Sequence, residues 1–185
     1  MDLLKMRPTV LFVWCLTLIG GSTTTEVSCG ERLTGPRGVI QTPNFPNPFP
    51  VPVKCRWVID VSDIPATNSS IVVYLAQVYV YKGLSFTEYA YYESDSTNFG
   101  AMLIKEITEG NVFEYRWFRT FRPFLVIEFE LDRLEGNHVR VLNDLLDVYG
   151  FNVTYQMTED EPNSDSCSVQ HCSYTGNCLV SADYA

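Results

Sequence analysis

Lys54-Cys55-Arg56-Trp57-Val58-Ile59-Asp60 decides the fold class. Cys55, Trp57 and Ile59 fall on one side of an extended chain. Lys54, Arg56 and Asp60 fall on the other, together with Val58. An alternation of period two is the mark of a strand with one buried face. The same period runs through Leu125, Ile127, Phe129 and Leu131, set between Val126, Glu128 and Glu130. It returns in Phe151, Val153, Tyr155 and Met157, set between Asn152, Thr154 and Gln156. Ile71 to Tyr81 is apolar almost throughout and reads as one long strand covered on both sides. Gly and Pro punctuate these runs, most densely in Thr42-Pro43-Asn44-Phe45-Pro46-Asn47-Pro48-Phe49-Pro50. There the proline rings set an extended loop and deny it ladder hydrogen bonds. Many short strands between regular turns predict an all-β sandwich. Val139 to Tyr149 departs from the pattern. Val139, Leu142, Leu145, Leu146 and Tyr149 follow helical spacing and predict one or two helical turns before the last strand.

The 185 residues leave room for one domain and a small second module, and the 46% hydrophobic and 14% aromatic content suffices for a core. With 22 acidic against 13 basic residues, the formal charge is −9. No surplus of Lys and Arg is present to neutralise phosphates, which argues against nucleic acid as a partner. Only two histidines, His138 and His171, are available for acid–base or metal work. No glycine-rich phosphate loop, HExxH pair or nucleophile elbow occurs. Nothing in the sequence orients His138 or His171, so the chain is expected not to be an enzyme, to use no cofactor and to bind no small-molecule substrate.

The N-terminus reads as a leader. Lys5 and Arg7 precede an apolar run from Val10 to Ile19, followed by Gly20, Gly21, Ser22 and Thr23. This charged, apolar, small order is that of a secretory signal peptide. The run is about half of the ~20 residues that a membrane span needs. Residues 1–22 are therefore expected to be removed, with cleavage after Ser22. Loss of Asp2, Lys5 and Arg7 makes the mature chain one unit more negative than −9. Two sequons fit the same route, Asn68-Ser69-Ser70 and Asn152-Val153-Thr154. Asn68 lies in a turn-rich stretch, and Asn152 lies on the phase of its strand expected to face solvent.

Secretion makes disulfides the default use of thiols. Cys15 leaves with the leader, and Cys29, Cys55, Cys167, Cys172 and Cys178 remain. Cys29 and Cys55 lie in the body of the chain, and the other three crowd its end. Zinc held by Cys167, His171, Cys172 and Cys178 is possible by ligand type, but an oxidising compartment favours bridges, and no metal site is expected.

Several stretches together resemble a known module. Cys29-Gly30, Gly38-Val39-Ile40-Gln41-Thr42-Pro43-Asn44-Phe45-Pro46 and Cys55-Arg56-Trp57-Val58-Ile59 are similar to the opening of a CUB domain. Gly150-Phe151-Asn152-Val153-Thr154-Tyr155 is similar to its last strand. The resemblance spans residues 29–157 and implies a CUB-type jelly-roll β-sandwich. A bridge from Cys29 to Cys55 is worth roughly 3–4 kcal/mol on the chain-entropy estimate, with Trp57 packed on the same face.

Many CUB domains carry a second disulfide, whose cysteines are absent here. Many also bind calcium through a Glu, an Asp after a Tyr and an Asp in a late loop, and use the ion to capture a partner's lysine. The Tyr-Asp pair aligns with Tyr89-Ala90, so the central carboxylate is missing. Asp144 or Asp147 is the candidate for the late ligand, and no clear first Glu precedes Tyr89. The resemblance therefore implies a lost calcium site, with Glu93 and Asp95 as solvated loop charges.

The tail resembles the first half of an EGF-like module, Cys167-x4-Cys172-x5-Cys178 with Gly176 before the third cysteine. That family pairs its first cysteine with its third, which implies Cys167 with Cys178 and leaves Cys172 without a partner before Ala185. The expected organisation is a signal peptide at 1–22, a CUB-like domain at 29–157, an acidic linker at 158–166 and a partial EGF-like module at 167–185. This disulfide-rich C-terminal stub suggests the N-terminal part of a longer modular protein. The implied function is a non-catalytic extracellular interaction module that binds protein or matrix partners, secreted or in a single-pass ectodomain. It would meet a membrane only through downstream sequence. Two alternatives are a structural spacer of a receptor ectodomain and the non-catalytic start of a secreted CUB/EGF protease.

Overall fold

The computed structural model describes residues 26–64, 70–75, 77–112, 114–134 and 148–162. The leader, the sequon at Asn68, the helical reading centred on 139–147 and the cysteine-rich tail lie outside them. The first sheet contains β1 (Val27–Cys29), β2 (Arg32–Leu33), β4 (Val53–Asp60), β7 (Leu84–Tyr89), β10 (Met102–Glu106) and β12 (Phe124–Leu131). Its order is β1-β4-β12-β7-β10, with β2 also on β4. The second sheet contains β3 (Arg37–Gln41), β5 (Ser70–Tyr74), β6 (Val78–Tyr79), β11 (Trp117–Thr120) and β13 (Gly150–Thr158). Its order is β11-β5-β13-β3, with β6 also on β13. A separate hairpin joins β8 (Tyr91–Ser94) to β9 (Thr97–Phe99).

The two sheets face each other across the core that period two marks out. Cys55, Trp57 and Ile59 of β4 are buried with Leu125, Ile127 and Phe129 of β12 and with Phe151, Val153 and Tyr155 of β13. Aromatic edges tie the layers. Trp57 meets Phe151 at 5.7 Å, Phe129 meets Phe151 at 5.2 Å and Phe86 meets Phe118 at 5.0 Å between ring centroids, all near perpendicular. Such pairs contribute about 0.5–1.5 kcal/mol each beyond their burial. The proline loop closes one end of this core. Phe49 inserts edge-on to Phe129 at 5.6 Å, and the Tyr149 N–H donates to Pro46 O at 2.9 Å. The Phe45–Pro46 and Val51–Pro52 peptides are cis.

Two strand readings need correction. Ile71 to Tyr81 is not one strand but two, β5 and β6, both against β13 and both buried as expected. Between them Gln77 O accepts the Asn152 N–H at 2.9 Å, so the chain leaves the regular ladder while staying against β13. Asn152 was expected to face solvent and is instead 5% exposed. Its Nδ2 donates to Gln77 Oε1 at 2.7 Å. The outward phase of β13 is thus covered locally by the irregular turn at Gln77.

Candidate functional site

In β1, Cys29 lies beside Cys55 of β4 in parallel register, and the two form a disulfide with Cα atoms 4.3 Å apart. Cys167, Cys172, Cys178, His138 and His171 lie outside the described residues.

Above the outer face of the first sheet lies the β8–β9 hairpin. Its Tyr92 is buried against Val58, Phe124 and Val126, with Tyr89 at the edge of the cluster. The Tyr89 and Tyr92 rings meet at 4.9 Å, and Tyr91 stacks on Phe99 at 5.7 Å. Val58 and Val126 share their strand phase with Arg56, Asp60, Glu128 and Glu130, and the hairpin gives them a second small core. Two arginines hold it down. Arg32 donates to Tyr92 O at 2.8 Å and to Glu93 O at 3.3 Å, and pairs with Asp60 at 2.8 Å. Arg56 binds Glu128 of β12 and Asp95 of the hairpin turn at once.

Electrostatics follow from these contacts. The Tyr92 hydroxyl donates to Asp95 Oδ1 at 2.7 Å. Burial, and then this bond to a carboxylate, push the Tyr92 phenol up to about 12. The same hydroxyl, joined by Arg56, holds Asp95 below the usual carboxylate range. The bonds to Glu128 drive the Arg56 guanidinium still higher. Burial alone would raise Asp60, but Ser62 and Arg32 outweigh it and leave that carboxyl lowered. Asp95 is therefore more than a solvated loop charge, whereas the Glu93 carboxylate accepts an exposed bond from the Tyr91 hydroxyl at 3.3 Å.

A second polar cluster lies at the rim between the sheets, and the sequence reading missed it. Glu88 is 6% exposed. Arg122 Nε sits 3.0 Å from Glu88 Oε1, and the Thr120 hydroxyl donates to the other oxygen. Arg122 Nη1 also donates to Gly100 O at 2.7 Å. The signal was available in Leu84, Phe86 and Glu88, which share one phase of β7.

Tyr89 and the exit of the chain from β12 lie at opposite ends of β7. Tyr89 pairs with Phe124 at the start of β12, whereas Leu84 pairs with Phe129 near its end. The chain after Leu131 therefore leaves from the Gly83 end of β7, roughly 17 Å from Tyr89 at strand spacing. A shallow cavity of about 440 Å³ at that end is lined by Lys82, Gly83, Glu130, Leu131, Asp132 and Arg133. Among the described residues, no group of three or more His, Cys, Asp or Glu side chains could hold a metal ion. Asp144 and Asp147 lie outside those residues. No helix among the described residues is long and apolar enough to cross a membrane.

The family comparison agrees with this sandwich. Residues 29–97 match the family model of the CUB domain. Over 43 residues the chain is 42% identical to the Membrane frizzled-related protein of Homo sapiens, covering 23% of this chain and 7% of that protein. Over 39 residues it is 41% identical to the Cubilin homolog of Drosophila melanogaster, covering 21% of this chain and 1% of that protein. The chain thus spans a small part of these curated relatives. Among solved structures, the CUB1-EGF-CUB2 domain of human MASP-1/3 is similar at a TM-score of 0.45 and 17% identity, covering 73% of this chain and 44% of that one. The full extracellular region of zebrafish Gpr126/Adgrg6 is similar at a TM-score of 0.43 and 14% identity, covering 71% and 15%. Residues 29–97 are thus similar to a CUB domain, and the described chain is built as an all-β, CUB-type jelly-roll sandwich with a disulfide. CUB domains are non-catalytic, extracellular protein-interaction modules of multidomain proteins.

Proposed function

We propose that this chain is a non-catalytic interaction module of a secreted or cell-surface protein, binding extracellular protein or matrix partners without calcium. The CUB match over residues 29–97, on a disulfide-bonded sandwich, carries the reading. In this reading residues 1–22 are a signal peptide and Asn68 carries glycan. Residues 158–166 link the domain to a partial EGF-like module in which Cys167 pairs with Cys178. Asn152 carries no glycan, because its side chain is enclosed and bonded to Gln77. The calcium part of the proposal rests on the sequence alignment that sets Ala90, which brings no oxygen donor, at a carboxylate of the family pattern.

Expression of the full chain in a secretory cell line tests this. The medium should contain protein that begins at Thr23 and loses mass on glycosidase treatment through Asn68 alone. On an array of extracellular and matrix proteins it should bind saturably, with equal strength in chelator and in millimolar calcium. Retention inside the cell, or a silent array, would overturn the interaction reading. Binding that disappears in chelator would overturn the calcium part alone.

A further inference from the structure

We infer that the free edge of β10 and the apolar rim beside it dock an extended segment of a partner protein, in which apolar residues alternate with Asp or Glu. The inference rests on the interaction-module reading and assigns it a surface. β10 ends the first sheet. It pairs with β7, and among the described residues no strand pairs with its other side. Such an edge presents unpaired backbone N–H and C=O groups, which an added strand satisfies.

The side chains around this edge are unusual for a solvated surface. Phe121 is 74% exposed, Phe99 63%, Leu103 57% and Met102 51%. Arg122 brings them to one place. It follows Phe121 in sequence, donates to the carbonyl of Gly100 next to Phe99, and pairs with Glu88, whose register partner is Met102. Apolar groups scattered singly need no explanation, but several gathered on one rim mark a contact surface.

Charge selects the occupant. The chain as a whole is at −9, whereas the residues around this edge carry Lys105, Arg119 and Arg122 against Glu88 and Glu106. Arg122 uses Nε on Glu88 and Nη1 on Gly100 O, which leaves Nη2 for an incoming carboxylate. The Arg119 guanidinium lies over the Phe121 ring at 6.0 Å. A second copy would bring these arginines against their own counterparts, and one acidic chain against another. A lipid surface would cover the apolar groups but leave the backbone edge without hydrogen-bond partners. A strand with carboxylates on the Arg122 side and apolar groups on the Leu103 side meets both needs, because its side chains alternate between faces. The register shift between Leu103 and Lys105 interrupts the flat edge, which favours one added strand over open-ended stacking.

The test uses the full, isotopically labelled chain and two blocked decapeptides, one alternating valine with glutamate and one alternating valine with lysine. The glutamate peptide should shift the amide signals of Met102 to Lys105 and slow their exchange. The lysine peptide should bind at least tenfold more weakly. Leu103→Lys and Phe121→Ser, both at exposed positions, should each weaken the glutamate peptide at least tenfold while the remaining spectrum stays native. Phosphatidylcholine vesicles containing phosphatidylserine, and light scattering across a concentration series, examine the other occupants. Equal binding of both peptides, no binding at millimolar peptide, shifts confined to another face, vesicle binding or a β10-dependent dimer would each overturn the assignment. If the extracellular array gives a partner that Leu103→Lys still binds at full strength, the edge assignment falls while the interaction reading stands.

Discussion

Arg122 Nε lies 3.0 Å from Oε1 of Glu88, so a carboxylate shut between the sheets is neutralised by a guanidinium that reaches in from the surface. Thr120 supplies the second bond. Removing one member of a buried pair strands the other charge, whereas replacing both need not. Arg122→Ala should therefore lower stability by about 1–3 kcal/mol, the value being reduced by the half-exposed position of the arginine. Glu88→Gln with Arg122→Met should recover part of that loss. Urea unfolding of the single and double variants checks both outcomes.

Tyr92 and Asp95 make the hairpin sensitive at both ends of the pH scale. The Tyr92 phenol is raised from 10.0 to about 12, so the fold favours its neutral form. That contribution is intact below pH 10 and is lost as pH climbs from 10 to about 12. Asp95 is lowered from 3.8, so its contribution is intact above that value and is lost as pH falls below it. Burial also raises Tyr89 and Tyr155, so an absorbance titration should show several late tyrosinate steps, of which Tyr92→Phe removes one. In that variant Asp95 should also titrate closer to its ordinary value, read from its carboxyl carbon by nuclear magnetic resonance.

Gly150 starts β13 with φ at +82°, and a methyl group there would overlap the Thr42 hydroxyl. That hydroxyl accepts the Phe151 N–H at 3.2 Å. Left-handed backbone costs an L-residue roughly 1–2 kcal/mol before any overlap is counted. Gly150→Ala should therefore destabilise by at least about 2 kcal/mol. Thermal unfolding checks it, and Gly110→Ala, where only a distant Thr108 contact is met, should be nearly neutral.

Cys29→Ser with Cys55→Ser should cost about 2–5 kcal/mol. Because β1 contributes only three residues, Val27–Cys29, the expected local effect is loss of amide protection in β1 before any in β12. Hydrogen exchange of the double variant measures this. Equal loss across both strands would show that the bridge stabilises the sandwich as a whole rather than its first strand.

Much of the core was legible because burial in a sandwich follows period two. The inward residues of β4, β12 and β13 can be read directly from Cys55-x-Trp57-x-Ile59 and its counterparts. What escaped was burial imposed from far along the chain. Val58 is covered by Tyr92 of the hairpin, and Asn152 by Gln77, 75 positions away. The ion pairs of Arg56 link residues up to 72 positions apart. No local pattern announces such partners, since an arginine between apolar neighbours reads equally well as a solvated face. The break between β5 and β6 was hidden for a similar reason. Their residues are apolar on both sides, and only the pairing partner β13 shows where the ladder stops.

The Cys29–Cys55 bridge also fixes how the domain bears tension. β1 runs parallel to β4, and the bond lies at the last of their three register pairs. A pull on the chain before Val27 first loads the short β1 ladder in shear. It then passes through sulfur into Cys55, the third residue of β4, a strand flanked by β12 along its whole length. Force entering from the N-terminal side cannot peel the sandwich open strand by strand from Cys29. It must shear β4 from β12 across eight paired residues, Val53 to Asp60.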